Sequence, residues 1–134
     1  MASITGEKKR ILVVDDDATQ LEFVEVILKD EYDVVTVTSG QGALEHLSQD
    51  FAPSLILLDV LMPEMGGFET FDKMQATGHI RNVPVIFLTS VNSPEEIRRA
   101  LELGAIDYIT KPYAMENFTN RVRNAIKVYE HKRR

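Results

Sequence analysis

The sequence predicts an α/β fold: a doubly wound, five-stranded parallel sheet with helices on both faces. Three observations carry this reading. Apolar runs of strand length recur, Ile11–Val14, Leu55–Leu58 and Val85–Leu88 among them, the pattern of strands buried on both faces. Between the runs lie stretches whose apolar residues return at helical spacing. Every link is short, and alternation of strand and helix with short links implies parallel strands joined by right-handed crossovers.

Each element has its own justification. Ile11 to Val14 is the first strand and ends at Asp15-Asp16-Asp17. From Ala18 the period changes, and Leu21, Val24 and Leu28 share one helical face with Ile27 beside them. Asp33 to Thr38 is β-branched and alternating, which predicts a strand near an edge. Ser39-Gly40 breaks it, and Ala43, Leu44 and Leu47 give a short second helix. Pro53 precedes the third strand, whose apolar run meets Asp59. Gly66-Gly67 makes a loop, Phe68, Phe71 and Met74 mark the third helix, and Gly78 stands at a C-terminal cap position. Pro84 opens the strand ending at Thr89. Ser93-Pro94-Glu95-Glu96 is a helix start: an N-cap serine, proline at the first helical position, and a capping-box glutamate. That helix carries Ile97, Ala100 and Leu101 and ends at Gly104. Ala105 to Thr110 is the fifth strand, and Phe118, Val122, Ala125, Ile126 and Tyr129 define the last helix.

Composition narrows the function. The chain has 134 residues, 44% of them hydrophobic, which suits one domain with one core. Its net charge of -6 argues against sequence-independent nucleic-acid binding, which needs a dense basic surface. With no cysteine there are no disulfides, thiol catalysis or thiolate metal sites, and the expected location is the cytoplasm. No apolar run approaches membrane-spanning length, so no membrane contact is expected. Residues 1–8 are expected to be a disordered N-terminal segment, 9–130 the domain, and 131–134 a basic C-terminal end or the stub of a linker.

Asp15, Asp16, Asp59, Thr89 and Lys111 all fall at the carboxyl ends of predicted strands, the edge where open α/β sheets place their ligands. Clustered carboxylates repel one another and call for a cation, and oxygen-only donors suit Mg²⁺. One carboxylate then remains to act as a nucleophile towards phosphorus, with the metal, Lys111 and the Thr89 hydroxyl supplying positioning and charge neutralisation. Plainer readings stand beside this one. Asp59 can cap a turn, Asp15 and Asp17 can be N-cap acids of the first helix (the preferred reading for Asp17), and Lys111 can be a solvated loop residue. His46, His79 and His131 share no ligand spacing and are expected at the surface.

Four motifs in order carry a resemblance. They are the acidic pair after the first strand, D-x-x-x-P with a following glycine around Asp59, Thr89 after the fourth strand, and Lys111-Pro112 after the fifth. Together they resemble the receiver (phosphoacceptor) domain of two-component response regulators, the CheY-like receivers, over roughly Lys9 to Val128. The resemblance implies a flavodoxin-like strand order, 2-1-3-4-5. It implies that Asp59 is the phosphoacceptor, charged by a sensor histidine kinase or phosphotransfer protein. Asp16 would be a direct Mg²⁺ ligand, Asp15 the holder of metal-bound water, and Asp59 itself and the Leu61 backbone carbonyl further ligands. Thr89 would be the switch hydroxyl, Lys111 the partner of a phosphoryl oxygen, and Tyr108 the aromatic that swings with Thr89. The Lys111–Pro112 peptide would be cis. For Tyr108 an ordinary half-exposed strand aromatic is the alternative.

Two rival classes share parts of this chemistry. A haloacid-dehalogenase-type phosphatase needs a second aspartate two residues after its nucleophile, and that position is Leu61. A flavodoxin cradles phosphate in its first loop, and Asp15-Asp16-Asp17 would repel phosphate unless a metal intervened. Within the receiver reading the downstream effector stays open. Charges on the face of the fourth helix, fifth strand and fifth helix (Glu95, Glu96, Arg98, Arg99, Asp107, Arg121, Arg123) permit a homodimer there without specifying one. Ile106 stands where many DNA-binding members carry an acidic residue. Leu61 and Val91, apolar at positions flanking the in-line water, predict slow loss of the phosphoryl group.

Overall fold

In a computed structural model, residues 8–49, 52–90 and 93–132 are described. Ten elements alternate along them: β1 (Lys9–Val14), α1 (Ala18–Leu28), β2 (Tyr32–Val37), α2 (Gly40–Leu47), β3 (Leu55–Asp59), α3 (Gly67–Thr77), β4 (Val85–Thr89), α4 (Pro94–Leu103), β5 (Asp107–Thr110) and α5 (Met115–Lys132). All four strand pairings are parallel, and the order is β2-β1-β3-β4-β5. The expected order is therefore present, with β2 at an edge.

The pleat sorts the core into two layers. Alternate residues of the strands, such as Ile11, Val13, Leu55 and Leu57, pack with α1 and α5 through Leu21, Val24, Phe118 and Val122. The intervening ones, such as Leu12, Val14, Ile56 and Leu58, pack with α2, α3 and α4 through Ala43, Phe71, Met74 and Ala100. Side chains alternate across a strand, so a strand covered on both faces must be apolar at every position. The burial of all five residues of β3, and of β4, is the outcome.

The element ends depart from expectation in instructive ways. β1 begins at Lys9, because Lys9 and Arg10 pair with Tyr32 and Asp33 of β2 beyond the apolar stretch. Ser39 does not merely break the chain: its hydroxyl accepts from Gly42 N and caps α2, whose first residue is Gly40. A Cβ on Gly40 would lie 2.1 Å from Thr70 Oγ1, so glycine is what lets α2 approach α3. β5 begins at Asp107, later than expected. Ala105 N and Ile106 N donate to Ala100 O and Val85 O, closing the end of α4 and joining the start of β4. Ser93 caps α4 by accepting from Glu96 N, and Gly78 and Gly104 end their helices at φ 77° and 113°. The Glu96 carboxylate leaves one oxygen buried without a hydrogen bond among the described residues. Residues 1–7, 133 and 134 lie outside the described residues, so the expected disordered head and most of the basic end are not addressed; Lys132 closes α5.

Candidate functional site

The carboxyl edge of the sheet gathers four strand ends. Asp15 follows β1, Asp59 ends β3, Thr89 ends β4 and Lys111 follows β5. The pleat decides which way each faces. Asp59 shares the parity of Leu57, and Asp15 and Lys111 extend the parities of Val13 and Ile109, all on the α1/α5 side. Thr89 and Tyr108 share the opposite parity, that of Phe87, on the α4 side. The acids and the lysine therefore converge on one side, and the hydroxyl and the aromatic meet on the other.

Asp15 is buried and fixed by three hydrogen bonds. Its N–H donates to Val37 O (3.2 Å), its Oδ1 accepts from Asp17 N (3.0 Å), and its Oδ2 accepts from Lys111 Nζ (2.8 Å). Lys111 is itself tied to β4 by its N–H donating to Thr89 O (2.8 Å), and its Nζ lies 3.6 Å from Asp59 Oδ1. The Lys111–Pro112 peptide is cis. Asp17 does cap α1, its carboxylate accepting from Thr19 N.

Asp15, Asp16 and Asp59 each offer an oxygen within 4.8 Å of the others. Asp15 and Asp59 are buried and Asp16 is exposed, so the cluster opens to solvent on one side. Burial raises the Asp59 carboxyl to a pKa of about 7, helped by the Asp15 and Asp16 charges and opposed by Lys111. A carboxyl so perturbed by its neighbours marks a site built for a cation or for chemistry. The donors are carboxylate oxygens alone, which is the set a hard divalent ion takes.

The loop after β3 is shaped around Asp59. Val60 N donates to Leu88 O and Gly67 N to Val60 O. A Cβ on Gly67 would come within 2.2 Å of Asp59 O, so only glycine lets α3 start that close to the strand end. Between them Glu64 holds φ 68°, a left-handed conformation uncommon outside glycine. The Leu61 side chain is 52% exposed, turned from the core. Val91 lies outside the described residues.

Thr89 and Tyr108 are both buried, and the Thr89 hydroxyl hydrogen-bonds that of Tyr108. Burial first, and then the Glu96 charge, raises the Tyr108 pKa. Tyr108 is thus an inward aromatic, and the half-exposed alternative does not describe it. His79 is exposed, His46 is half-buried, and neither joins the acidic group; the His131 side chain lies outside the description. Of the charged residues expected on the α4–β5–α5 face, Arg121 lies 3.6 Å from Asp107 and Arg123 pairs with Glu31. Arg99 covers the Phe68 ring at 4.8 Å. One residue near the acids escaped the sequence reading. Tyr113 lies close enough for the Asp15 and Asp59 charges to raise its pKa, second to burial. The signal available for it was an aromatic directly after Lys111-Pro112.

This sheet order, with an acidic cluster and a lysine at its carboxyl edge, defines a flavodoxin-like α/β domain with a candidate divalent-cation site. Residues 11–123 match the response regulator receiver domain family, and the chain belongs to that family. Among curated proteins it is 40% identical to the two-component response regulator ORR3 of Oryza sativa subsp. indica, over 82% of this chain and 85% of that one. It is 39% identical to a probable cyclic di-GMP phosphodiesterase of Vibrio cholerae over 84% of this chain, which spans only 25% of that protein. Among solved structures, the CheY-like receiver domain from Methanospirillum hungatei JF-1 superimposes with a TM-score of 0.84 at 27% identity, covering 94% of this chain and 99% of that one. The receiver domain of a signal transduction histidine kinase from Syntrophus aciditrophicus gives 0.79 at 37% identity, covering 89% and 90%. The chain is thus a receiver domain of two-component signalling, and no helix among the described residues is long and apolar enough to cross a membrane.

Proposed function

We propose that Asp59 accepts a phosphoryl group from the phosphohistidine of a sensor histidine kinase or phosphotransfer protein. The observation that carries this reading is the convergence of Asp59, Asp15, Asp16 and Lys111 at one sheet edge. An Asp59 carboxylate oxygen attacks phosphorus, the phosphorus–nitrogen bond breaks, and the imidazole leaves with the electron pair. Asp16 and Asp59, with the Leu61 backbone carbonyl, would hold Mg²⁺ and Asp15 its bound water, and the ion would supply charge neutralisation. Lys111, already 3.6 Å from Asp59, pairs with a phosphoryl oxygen, and the Thr89 hydroxyl turns to another. Thr89 then leaves Tyr108, and that exchange alters the α4 side. The phosphoryl group shifts the two states only by its differential contacts with them.

The domain acts as a phosphoacceptor, not as a catalyst of substrate turnover, and works in the cytoplasm without membrane or nucleic acid as its own partner. Its downstream effector reads the α4–β5–α5 face, where Pro94, Ile97 and Leu101 offer an apolar surface beside Arg98 and Glu102, and a homodimer through that face is one form of output. The test is direct. With a small-molecule phosphodonor and Mg²⁺, intact mass rises by one phosphoryl group, and Asp59→Asn abolishes the rise. Undiminished phosphorylation in that variant overturns the assignment.

A further inference from the structure

Among the described residues, α4 is the most lightly anchored helix. Ala100 is the one buried residue of its ten, and Ile97 and Leu103 are only partly covered. By contrast α1, α2 and α3 each bury three or more, and α5 buries Phe118, Val122, Ala125 and Ile126. An element with so few buried apolar contacts belongs to the low-stability end of a fold. Two side-chain contacts with α3 therefore carry weight. At the end of α4 the Gln75 side-chain amide donates to Leu103 O (3.1 Å), one of the last-turn carbonyls that lack a helical partner. In the middle of α4 the Arg99 guanidinium lies over the Phe68 ring, 4.8 Å from its centroid.

Phe68 is the fixed half of that contact. It follows Gly67, whose N–H donates to Val60 O (2.8 Å) and where a Cβ would strike Asp59 O. Its ring meets Phe87 edge-on, centroids 4.9 Å apart, and Phe87 shares a face of β4 with Thr89. Arg99 is the movable half, exposed and on the helix held least. The contact coexists with the hydrogen bond between the Thr89 and Tyr108 hydroxyls. Under the phosphoacceptor reading, Thr89 leaves Tyr108 when Asp59 is loaded, and α4 responds. Movement of α4 lifts Arg99 from a ring that α3 and β4 keep in place. The ring quadrupole attracts the cation, so that separation is opposed. We propose that Arg99 and Phe68 form a latch on α4, which favours the arrangement with Thr89 on Tyr108 and holds the loaded arrangement back. The latch rests on the phosphoacceptor reading and adds to it a tie on α4 carried by two residues outside the four motifs.

The test uses the full chain, with Mg²⁺ and beryllofluoride as the phosphoryl mimic, in wild type, Arg99→Gln, Phe68→Leu and the double variant. A state that binds only after a latch opens binds more weakly by the fraction held closed. Arg99→Gln should therefore bind beryllofluoride about two- to fivefold more tightly than wild type, the weight of one exposed cation–π contact. Phe68→Leu, which leaves every charge in place, should show the same gain. The double variant should gain no more than either single one, because both remove one contact. In NMR spectra, α4 amide resonances of the Mg²⁺-free Arg99→Gln protein should lie part-way along the path that wild type follows on loading. A merely structural arginine gives lower stability in urea, unchanged affinity and α4 resonances off that path. A smaller gain or none in Arg99→Gln, or gains that multiply in the double variant, overturns the latch alone. A wild type that binds no beryllofluoride overturns the phosphoacceptor reading and the latch with it.

Discussion

Replacing Asp59 by asparagine should stabilise the metal-free domain, and by an amount that grows with pH. Burial, together with the charges of Asp15 and Asp16, lifts the Asp59 carboxyl from 3.8 to about 7. Between those values the folded state holds a proton that the unfolded state has released, so stability falls as pH rises from about 4 to about 7. The shift is roughly three units at 1.36 kcal/mol each, an upper bound of about 4 kcal/mol above neutrality. Between about pH 5 and about pH 8 the part still to be lost is about 2–3 kcal/mol. Asparagine lacks that charge, and groups common to both proteins cancel in the difference. Urea unfolding in EDTA at both pH values measures it. The variant should gain on wild type by about 2–3 kcal/mol across the interval, and Mg²⁺ should close most of the gap by stabilising wild type selectively. A wild-type-minus-variant difference that stays flat with pH would show that Asp59 ionises freely in the fold, and the electrostatic account of the cluster would fail.

Three further outcomes are expected. Gly67→Ala forces a Cβ against Asp59 O and should cost about 1–3 kcal/mol in thermal or urea unfolding, with phosphorylation slowed more than stability alone explains. Thr89→Ala should still accept phosphate on Asp59, while NMR shifts induced by phosphorylation at α4 and β5 shrink; equal shifts in both proteins would sink the relay through Tyr108. Leu61→Asn, placing a polar group on an exposed side chain beside Asp59, should speed decay of the phosphorylated protein about several-fold once the donor is removed, read by intact mass over time.

The parts of the fold that could be read in advance are those where one physical signal acts alone. β3 and β4 are apolar at nearly every position because both faces are covered, and α4 begins at a serine whose hydroxyl caps it. The sequence was less informative where tertiary contacts set the outcome. The first strand reads as Ile11 to Val14, yet pairing with β2 extends it back through Arg10 and Lys9. Ala105 and Ile106 read as strand, yet their N–H groups are drawn to Ala100 and Val85. In the site, the carboxylates, Thr89 and Lys111 were legible because strand ends in a parallel sheet must meet. Tyr113 was not, since its place depends on how Phe23 and Phe118 catch its ring.

The division of side chains by the pleat has a consequence for how such a domain can be altered. Asp15, Asp59 and Lys111 lie on the side of α1 and α5, while Tyr108 lies on the side of α4, with a layer of wholly buried strand residues between them. Changes at well-separated positions without shared partners add independently. Under the proposed function, Ile97 and Leu101 could therefore be exchanged to suit a new listener while the reaction keeps its pace, and the acids retuned for speed while the listener stays the same. Thr89 is the exception. It sits at the end of β4, beside β3, and its hydroxyl already holds Tyr108. Under the proposed function, a substitution there would alter tempo and message together, which would make that one hydroxyl the least replaceable group on the edge after Asp59 itself.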